Sequence, residues 1–169
     1  MEEKSYKEHL KNITTFVFDV DGVFTNAQVL VTNEGELLRS VSMRDGFALK
    51  VAVDKGYNVC IITGGNNQGV KKRFESLGVI DIFMSKHHKL DTFFQYKESK
   101  GLKTEEILYM GDDLPDIPPM KHSGLATCPQ DAVAEVKAVS NYISHANGGE
   151  GAVRDVITQV LKVRGDWEF

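Results

Sequence analysis

Phe16-Val17-Phe18-Asp19-Val20-Asp21-Gly22-Val23 decides how this sequence folds. An apolar, β-prone run ends in two carboxylates one residue apart, with a glycine directly behind them. Bounded by that turn signal, the run predicts a buried strand. Carboxylates at its carboxyl end fall where open α/β sheets bind their ligands. Asp19 and Asp21 share one parity along the strand, and Gly22 is free to turn the chain at once. Both side chains are expected to face one crevice in different roles.

Downstream, residues 28–32 and 37–41 are β-prone runs around Asn33-Glu34-Gly35-Glu36, the pattern of a β-hairpin. A parallel fold would pass straight into a helix here, so the hairpin reads as a flap over about residues 27–42 beside the crevice. Met43-Arg44-Asp45-Gly46 leads into an apolar-periodic helix over residues 47–53, stopped near Gly56. Residues 57–62 predict a second buried strand, ending in Thr63-Gly64-Gly65. A helix through Val70, Phe74 and Leu77 closes at Gly78. A short strand over 81–84 then runs into Ser85-Lys86-His87-His88-Lys89. One helix is expected from about Leu90 and another to end at Lys100-Gly101. Residues 107–110 predict a third apolar strand, ending in Gly111-Asp112-Asp113. Residues 125–127 and 142–143 are further strand candidates, and 153–161 form a last helix. Residues 1–12 read as a polar lead-in with a short helix docked near the first strand.

Strands alternating with helices predict an α/β fold, a single Rossmann-like parallel sheet with helices on both faces. No repeat, low-complexity tract or linker divides the 169 residues, so one domain is expected over 1–169, with a tail from about 162. A hydrophobic content of 41% is enough to build its core. The net charge of -4 argues against generic nucleic-acid binding and against a basic membrane patch. An anionic substrate still fits if a metal and a few local cations reverse the field in the cleft. Cys60 and Cys128 lie in separate apolar stretches with no CxxC, which suits core thiols in a reducing compartment. The mixed-charge start and the lack of a membrane-length apolar run lead us to expect a cytoplasmic protein.

Three strands thus end in polar residues, Asp19 with Asp21, Thr63, and Asp112 with Asp113, while Lys89 stands at another strand-to-helix junction. A parallel sheet gathers these ends along one edge. The set suits phosphoryl transfer. Asp19, ionised at neutral pH as an ordinary carboxylate, can attack phosphorus to form an aspartyl phosphate. Asp21 would protonate the leaving oxygen and later activate water. Mg²⁺ takes oxygen ligands such as Asp19, Asp112 and a backbone carbonyl. Thr63 and Lys89 would stabilise the equatorial oxygens. Uncatalysed monoester hydrolysis is slow enough that enzymes accelerate it by up to roughly 10²¹-fold, so such concentration of charge is expected.

Asp19-Val20-Asp21-Gly22-Val23, Thr63-Gly64, Lys89 and Gly111-Asp112-Asp113 resemble, in order, the four motifs of the haloacid dehalogenase superfamily of phosphatases. The resemblance implies Asp19 as nucleophile and Asp21 as acid/base. It also implies Mg²⁺ held by Asp19, Asp112 and the Asp21 carbonyl, with Asp113 outside the direct ligands. A hairpin in place of a cap domain resembles the cap-less subclass. Within it, Val20 to Thr25, Arg44-Asp45-Gly46, Gly111-Asp112-Asp113-Leu114 and the stretch from Gly148 to Arg154 are similar to 3-deoxy-D-manno-octulosonate 8-phosphate phosphatases. That similarity implies a role in lipopolysaccharide precursor synthesis and a homotetramer with the hairpins at its centre. A neighbour's tail would help close each site.

Candidate substrate contacts are Arg44, Gly64, Gly65, Arg73, Gly149 and Arg154. Many relatives carry a charged residue after Thr-Gly where this chain has Gly65, which leaves nonulosonate 9-phosphate phosphatases as an alternative. His87 and His88 read as surface or substrate-rim residues rather than metal ligands. Trp167 and Phe169 read either as an unstructured end or as a segment docked on a neighbour. Two other classes compete: a phosphoaspartate receiver module and a non-catalytic scaffold. A receiver places its acidic pair and its phosphorylated Asp on different strands, whereas here an acidic pair also follows Lys89 and Asp21 supplies a built-in acid/base.

Overall fold

Every residue of Thr15–Phe18 (β1) is buried, as a strand covered on both faces must be. A computed structural model describes residues 5–169, and residues 1–4 of the lead-in lie outside the described residues. Around β1 the chain runs α1 (Tyr6–Leu10), the hairpin strands β2 (Leu30–Val31) and β3 (Leu37–Leu38), α2 (Met43–Asp54), β4 (Asn58–Ile62), α3 (Gln68–Ser76) and β5 (Asp81–Phe83). It continues through α4 (Lys89–Ser99), β6 (Ile107–Met110), α5 (Ile117–Lys121), β7 (Leu125–Cys128), α6 (Ala134–Val139), β8 (Tyr142–Ile143) and α7 (Ala152–Arg164). Six strands pair in the order β5-β4-β1-β6-β7-β8, every pair parallel. This is the expected α/β sheet, with β1 at its centre.

The strand period of two divides the core. Phe16, Phe18, Val59, Ile61, Leu108 and Met110 face the layer that contains Leu49, Phe74, Val156 and Ile157. Val17, Cys60, Ile62, Ile107 and Tyr109 face Phe93, Tyr96, Met120 and Val136. Asp19, two residues beyond Val17, inherits the second face, which is the side of α4. Both cysteines are buried and free, as core thiols.

Several boundaries differ from expectation. The first strand stops at Phe18, because Val23 and Phe24 donate back to the Val20 carbonyl and close a turn. Helix α2 begins at Met43, capped by Ser42, whose hydroxyl accepts from the Asp45 N–H. Arg44-Asp45-Gly46 is therefore its first turn rather than a loop. One helix, α4, fills the whole span expected to hold two helix ends. Helix α1 reaches across the sheet: Leu10 joins the core cluster of Phe16 and Phe18, while Tyr6 stacks on Tyr142 at 4.5 Å and its hydroxyl meets Gln159 of α7. Helices α5 and α6 are short additions that the sequence pattern did not announce.

The hairpin forms, but each strand has only two residues, and among the described residues the two pair only with each other. Helix α7 runs on to Arg164, where Gly165 ends it, so residues 162–164 are helix rather than tail. The end of the chain packs on α2 and α7 of the same chain. The Arg154 guanidinium lies 5.5 Å from the Trp167 ring and 5.9 Å from Phe47, which also faces Phe169. Among the described residues no helix is long and apolar enough to cross a membrane.

Candidate active site

The carboxyl ends of β1, β4 and β6 open into one cavity of about 400 Å³. Asp19, Asp21, Thr63, Gly64, Gly65, Lys89, Asp112 and Asp113 all line it, joined by Ala27, Lys86, His87, Pro115 and Asp116. Each strand delivers its residue just past its last ladder bond. The Asp19 N–H donates to the Met110 carbonyl, and Thr63 N–H to the Phe83 carbonyl. Lys89 is the first residue of α4, on the face that Asp19 shares.

Lys89 is the electrostatic centre. Its Nζ lies 2.9 Å from Asp19 Oδ1 and 2.8 Å from Asp116 Oδ1, with 5% of the side chain exposed. Burial alone would lower its proton affinity, but the Asp116 and Asp19 carboxylates raise it above the ordinary lysine value. The ammonium is therefore held charged.

Asp116 is a site residue that no sequence motif marks. It is fully buried, and both its oxygens are occupied. Oδ1 accepts from Lys89 and, at 2.9 Å, from the Tyr109 hydroxyl; Oδ2 accepts from the Asp112 N–H at 3.1 Å and the Asp113 N–H. A carboxylate so bonded orients its neighbours. Asp113 caps the turn, accepting from the Leu114 N–H at 2.7 Å. Gly111 is required there, since a β-carbon would sit 2.2 Å from that of Asp116.

Oxygens of Asp19, Asp112 and Asp116 lie within 4.8 Å of one another. With Asp116 taken, Asp19 and Asp112 remain as hard oxygen donors. Gly22, at φ +83°, lets Asp112 close on the turn, where a β-carbon would lie 1.8 Å from Asp112 Oδ2. Burial, then the Asp116 carboxylate, pushes Asp19 from 3.8 up to about 7 despite Lys89. Burial, reinforced by Asp19, pushes Asp112 up to about 8. The expectation of a fully ionised Asp19 at neutral pH is thus corrected: without a cation, burial beside other carboxylates favours the protonated forms of this pair. The donor set fits a divalent cation, which would restore the ionised form.

The sign of the pH effect follows. Carboxyls whose folded values are raised stabilise the fold while protonated, fully below about 4, and lose that stabilisation as pH rises through about 7 and 8. Metal-free protein is expected to melt several degrees higher at pH 5.5 than at pH 8.5, and a divalent cation to stabilise most at pH 8.5. Differential scanning fluorimetry with and without chelator measures this. A metal-free melting temperature that climbs over that interval would contradict the assignment.

Four sequence candidates do not line this cavity. Arg44 is exposed on the first turn of α2. Arg73 lies across Gly46 and beside the Met43 sulfur. Arg154 is held by Phe47 and Trp167. The Gly149 N–H donates to the Val23 carbonyl, so the glycine loop braces the turn that carries Asp21. Asp45, rather than Arg44, ties this region together, accepting from the Arg154 and Gly151 N–H groups at the start of α7.

A haloacid dehalogenase-like hydrolase family model matches residues 74–157. The 3-deoxy-D-manno-octulosonate 8-phosphate phosphatase of Salmonella typhi is 34% identical over 92% of this chain and 82% of its own. The Yersinia pestis phosphatase of the same description superposes with a TM-score of 0.93 at 28% identity, covering 96% of this chain and 88% of that one. The Moraxella catarrhalis phosphatase, solved with magnesium, phosphate and KDO, gives 0.92 at 30% identity, covering 96% and 93%.

Proposed function

This chain belongs to the haloacid dehalogenase-like hydrolases, among relatives that are 3-deoxy-D-manno-octulosonate 8-phosphate phosphatases, and from that premise we propose that it hydrolyses the same phosphomonoester to the free sugar acid and phosphate. The observation that carries the reading is the Lys89 ammonium between Asp19 and Asp116, set at the carboxyl edge of a parallel sheet.

Asp19 attacks phosphorus, forming the Asp19 Oδ–P bond as the bond to the sugar oxygen breaks. Asp21, as general acid, passes a proton to that leaving oxygen, then as general base takes one from the water that attacks phosphorus and frees Asp19. Lys89 offsets charge on the phosphoryl oxygens. The Thr63 hydroxyl accepts from the Gly65 N–H at 3.1 Å, which leaves its own proton to donate into the cavity. Asp19, Asp112 and the Asp21 carbonyl would hold Mg²⁺, whose charge supplies electrostatic neutralisation of the phosphate and the carboxylates.

Phosphate release with Mg²⁺ across a phosphosugar panel tests the reading. Preference for the eight-carbon 3-deoxy-ulosonate phosphate, lost on chelation, is expected. Preference for the nine-carbon acid would move the substrate assignment while keeping the chemistry. Silence on every phosphomonoester would favour a receiver or scaffold.

The family resemblance extends the proposal to a cytoplasmic enzyme of lipopolysaccharide precursor synthesis that works as a homotetramer. Support comes from the flap: Leu30 and Val31 are 68% and 61% exposed, and Val29, Leu37 and Leu38 also face solvent in the single chain. A two-stranded ribbon with apolar residues on both faces needs a partner surface. Leu30→Glu is expected to yield monomers in sedimentation; an unchanged assembly would place the interface elsewhere.

A further inference from the structure

One arginine of the flap enters the active site, and the mechanism above gives it no part. Arg39 follows β3 directly, yet its side chain is only 9% exposed. Its fork grips the side chain of Asp21, Nε to Oδ1 at 2.7 Å and Nη2 to Oδ2 at 3.1 Å. The remaining Nη1 donates to the Leu37 carbonyl at 2.9 Å, which fixes the guanidinium against the flap's own backbone. The same carbonyl accepts from Asn67 Nδ2 at 3.0 Å, and Asn67 caps α3. The flap is thereby tied both to the acid/base and to the helix that follows Thr63-Gly64-Gly65.

Gly65 makes room for this arrangement. A β-carbon there would lie 3.5 Å from Arg39 Nη2, from Asp21 Oδ2 and from Thr63 Oγ1. The three polar groups therefore converge on the space that a side chain at position 65 would fill. Asp21 keeps 38% of its side chain open to the cavity mouth, so each oxygen keeps a lone pair outside the fork for the proton it passes, and the fork orients the carboxyl without closing it off. A bidentate guanidinium–carboxylate pair fixes the plane of the carboxyl as well as its position, which a lysine cannot do.

We propose that Arg39 is the positioning residue of the acid/base, through which the placement of the flap sets the aim of Asp21 at the leaving oxygen. The proposal rests on the phosphatase reading and deepens it. Proton transfer in a transition state requires the donor within hydrogen-bond reach of the leaving atom, and it contributes about 10²- to 10⁴-fold. A carboxyl freed from its fork samples other rotamers and loses part of that factor. The loss falls on esters whose leaving group must be protonated, and spares those whose leaving group departs as a stable anion.

The test compares kcat/KM, which covers the steps through departure of the leaving group, for three substrates in Mg²⁺. These are the eight-carbon sugar-acid phosphate, a hexose 6-phosphate that lacks a carboxylate, and p-nitrophenyl phosphate. Wild type, Asp21→Asn, Arg39→Gln and Arg39→Lys are measured side by side. Arg39→Gln is expected to lose roughly 10- to 100-fold on both sugar esters, a part of the general-acid factor, and to keep p-nitrophenyl phosphate nearly unchanged. Asp21→Asn should show the same pattern more deeply, and Arg39→Lys should recover little.

An equal loss on all three substrates would make Arg39 a structural brace of the flap. A loss confined to the sugar acid would make it a reader of the substrate carboxylate. No loss would make the pair incidental, and each of these three outcomes overturns the proposal. Failure of wild type on every phosphomonoester would instead overturn the phosphatase reading itself. Leaving-group discrimination in Asp21→Asn but not in Arg39→Gln would sink only the inference about Arg39.

Discussion

Asp19→Asn is expected to remove turnover by roughly 10⁴- to 10⁶-fold, the scale seen when a covalent nucleophile is deleted, while leaving the protein folded and more resistant to heat. The substitution keeps shape and volume, and the amide oxygen can still accept from Lys89, now 2.9 Å from Oδ1. It removes the negative charge that makes the oxygen a nucleophile. It also removes one of the crowded carboxylates in a site where burial, then repulsion from neighbouring carboxylates, pushes Asp19 to about 7 and Asp112 to about 8. Loss of catalysis and gain of stability thus share one cause, charge stored in the site against the preference of the fold. Phosphate-release assays and thermal melts of metal-free protein check the two halves together. Retained turnover would unseat Asp19 as nucleophile. A marked fall in melting temperature would mean that the pair with Lys89 outweighs the repulsion.

Asp19, Thr63 and Asp112 were legible because each follows an apolar run in strand register, and a parallel sheet gathers such positions on one edge. Lys89 was legible as the residue at which a strand-to-helix connection ends. Asp116 and Arg39 escaped for physical reasons. Asp116 sits in a one-turn helix with Pro115, where no period of two or 3.6 marks a face. Its only trace was a carboxylate four residues after Asp112, within reach of that residue's N–H. Arg39 lay in a run read as a strand, and what the hairpin covers depends on packing that spacing does not encode. Arg44, the cation that the motif points to in the same region, lies in the first turn of α2 because Ser42 caps that helix earlier than its apolar period suggests. Gly148 and Gly149 looked like a ligand loop, but they pack on the turn at Gly22 and Thr25, where a β-carbon at position 148 would lie 1.9 Å from the Gly22 carbonyl oxygen. Glycines that bring two backbones together and glycines that bring a backbone to a phosphate look alike in sequence.

Lys89→Met separates the two roles of the central cation. Methionine matches the lysine stem closely enough that little cavity opens. The charge is what disappears, and it leaves Asp19 and Asp116 facing each other in a buried site. Removing one partner of a buried pair costs about 3–5 kcal/mol, because the remaining charge loses its compensation. At about 2–4 °C per kcal/mol for a chain of this size, the melting temperature should fall by roughly 6–20 °C at pH 8. The deficit should shrink at pH 5, where Asp19, pushed up to about 7 by burial and by Asp116, can take up a proton; wild-type Lys89, whose value is raised above 10.5, stays charged at both pH values. Turnover should drop by about 10²- to 10³-fold even where the variant is fully folded, the scale set by loss of one preorganised charge-stabilising group. Mg²⁺ should restore stability more than activity, since it can neutralise Asp19 but cannot occupy the position of the ammonium against the phosphoryl oxygens. Chemical denaturation at the two pH values, paired with kinetics in saturating Mg²⁺, reads both effects. A deficit under about 1 kcal/mol, the worth of an exposed pair, or one indifferent to pH, would show that Asp116 and Asp19 are not held by Lys89. Full activity in the folded variant would remove the lysine from phosphoryl transfer and leave it a structural cation alone.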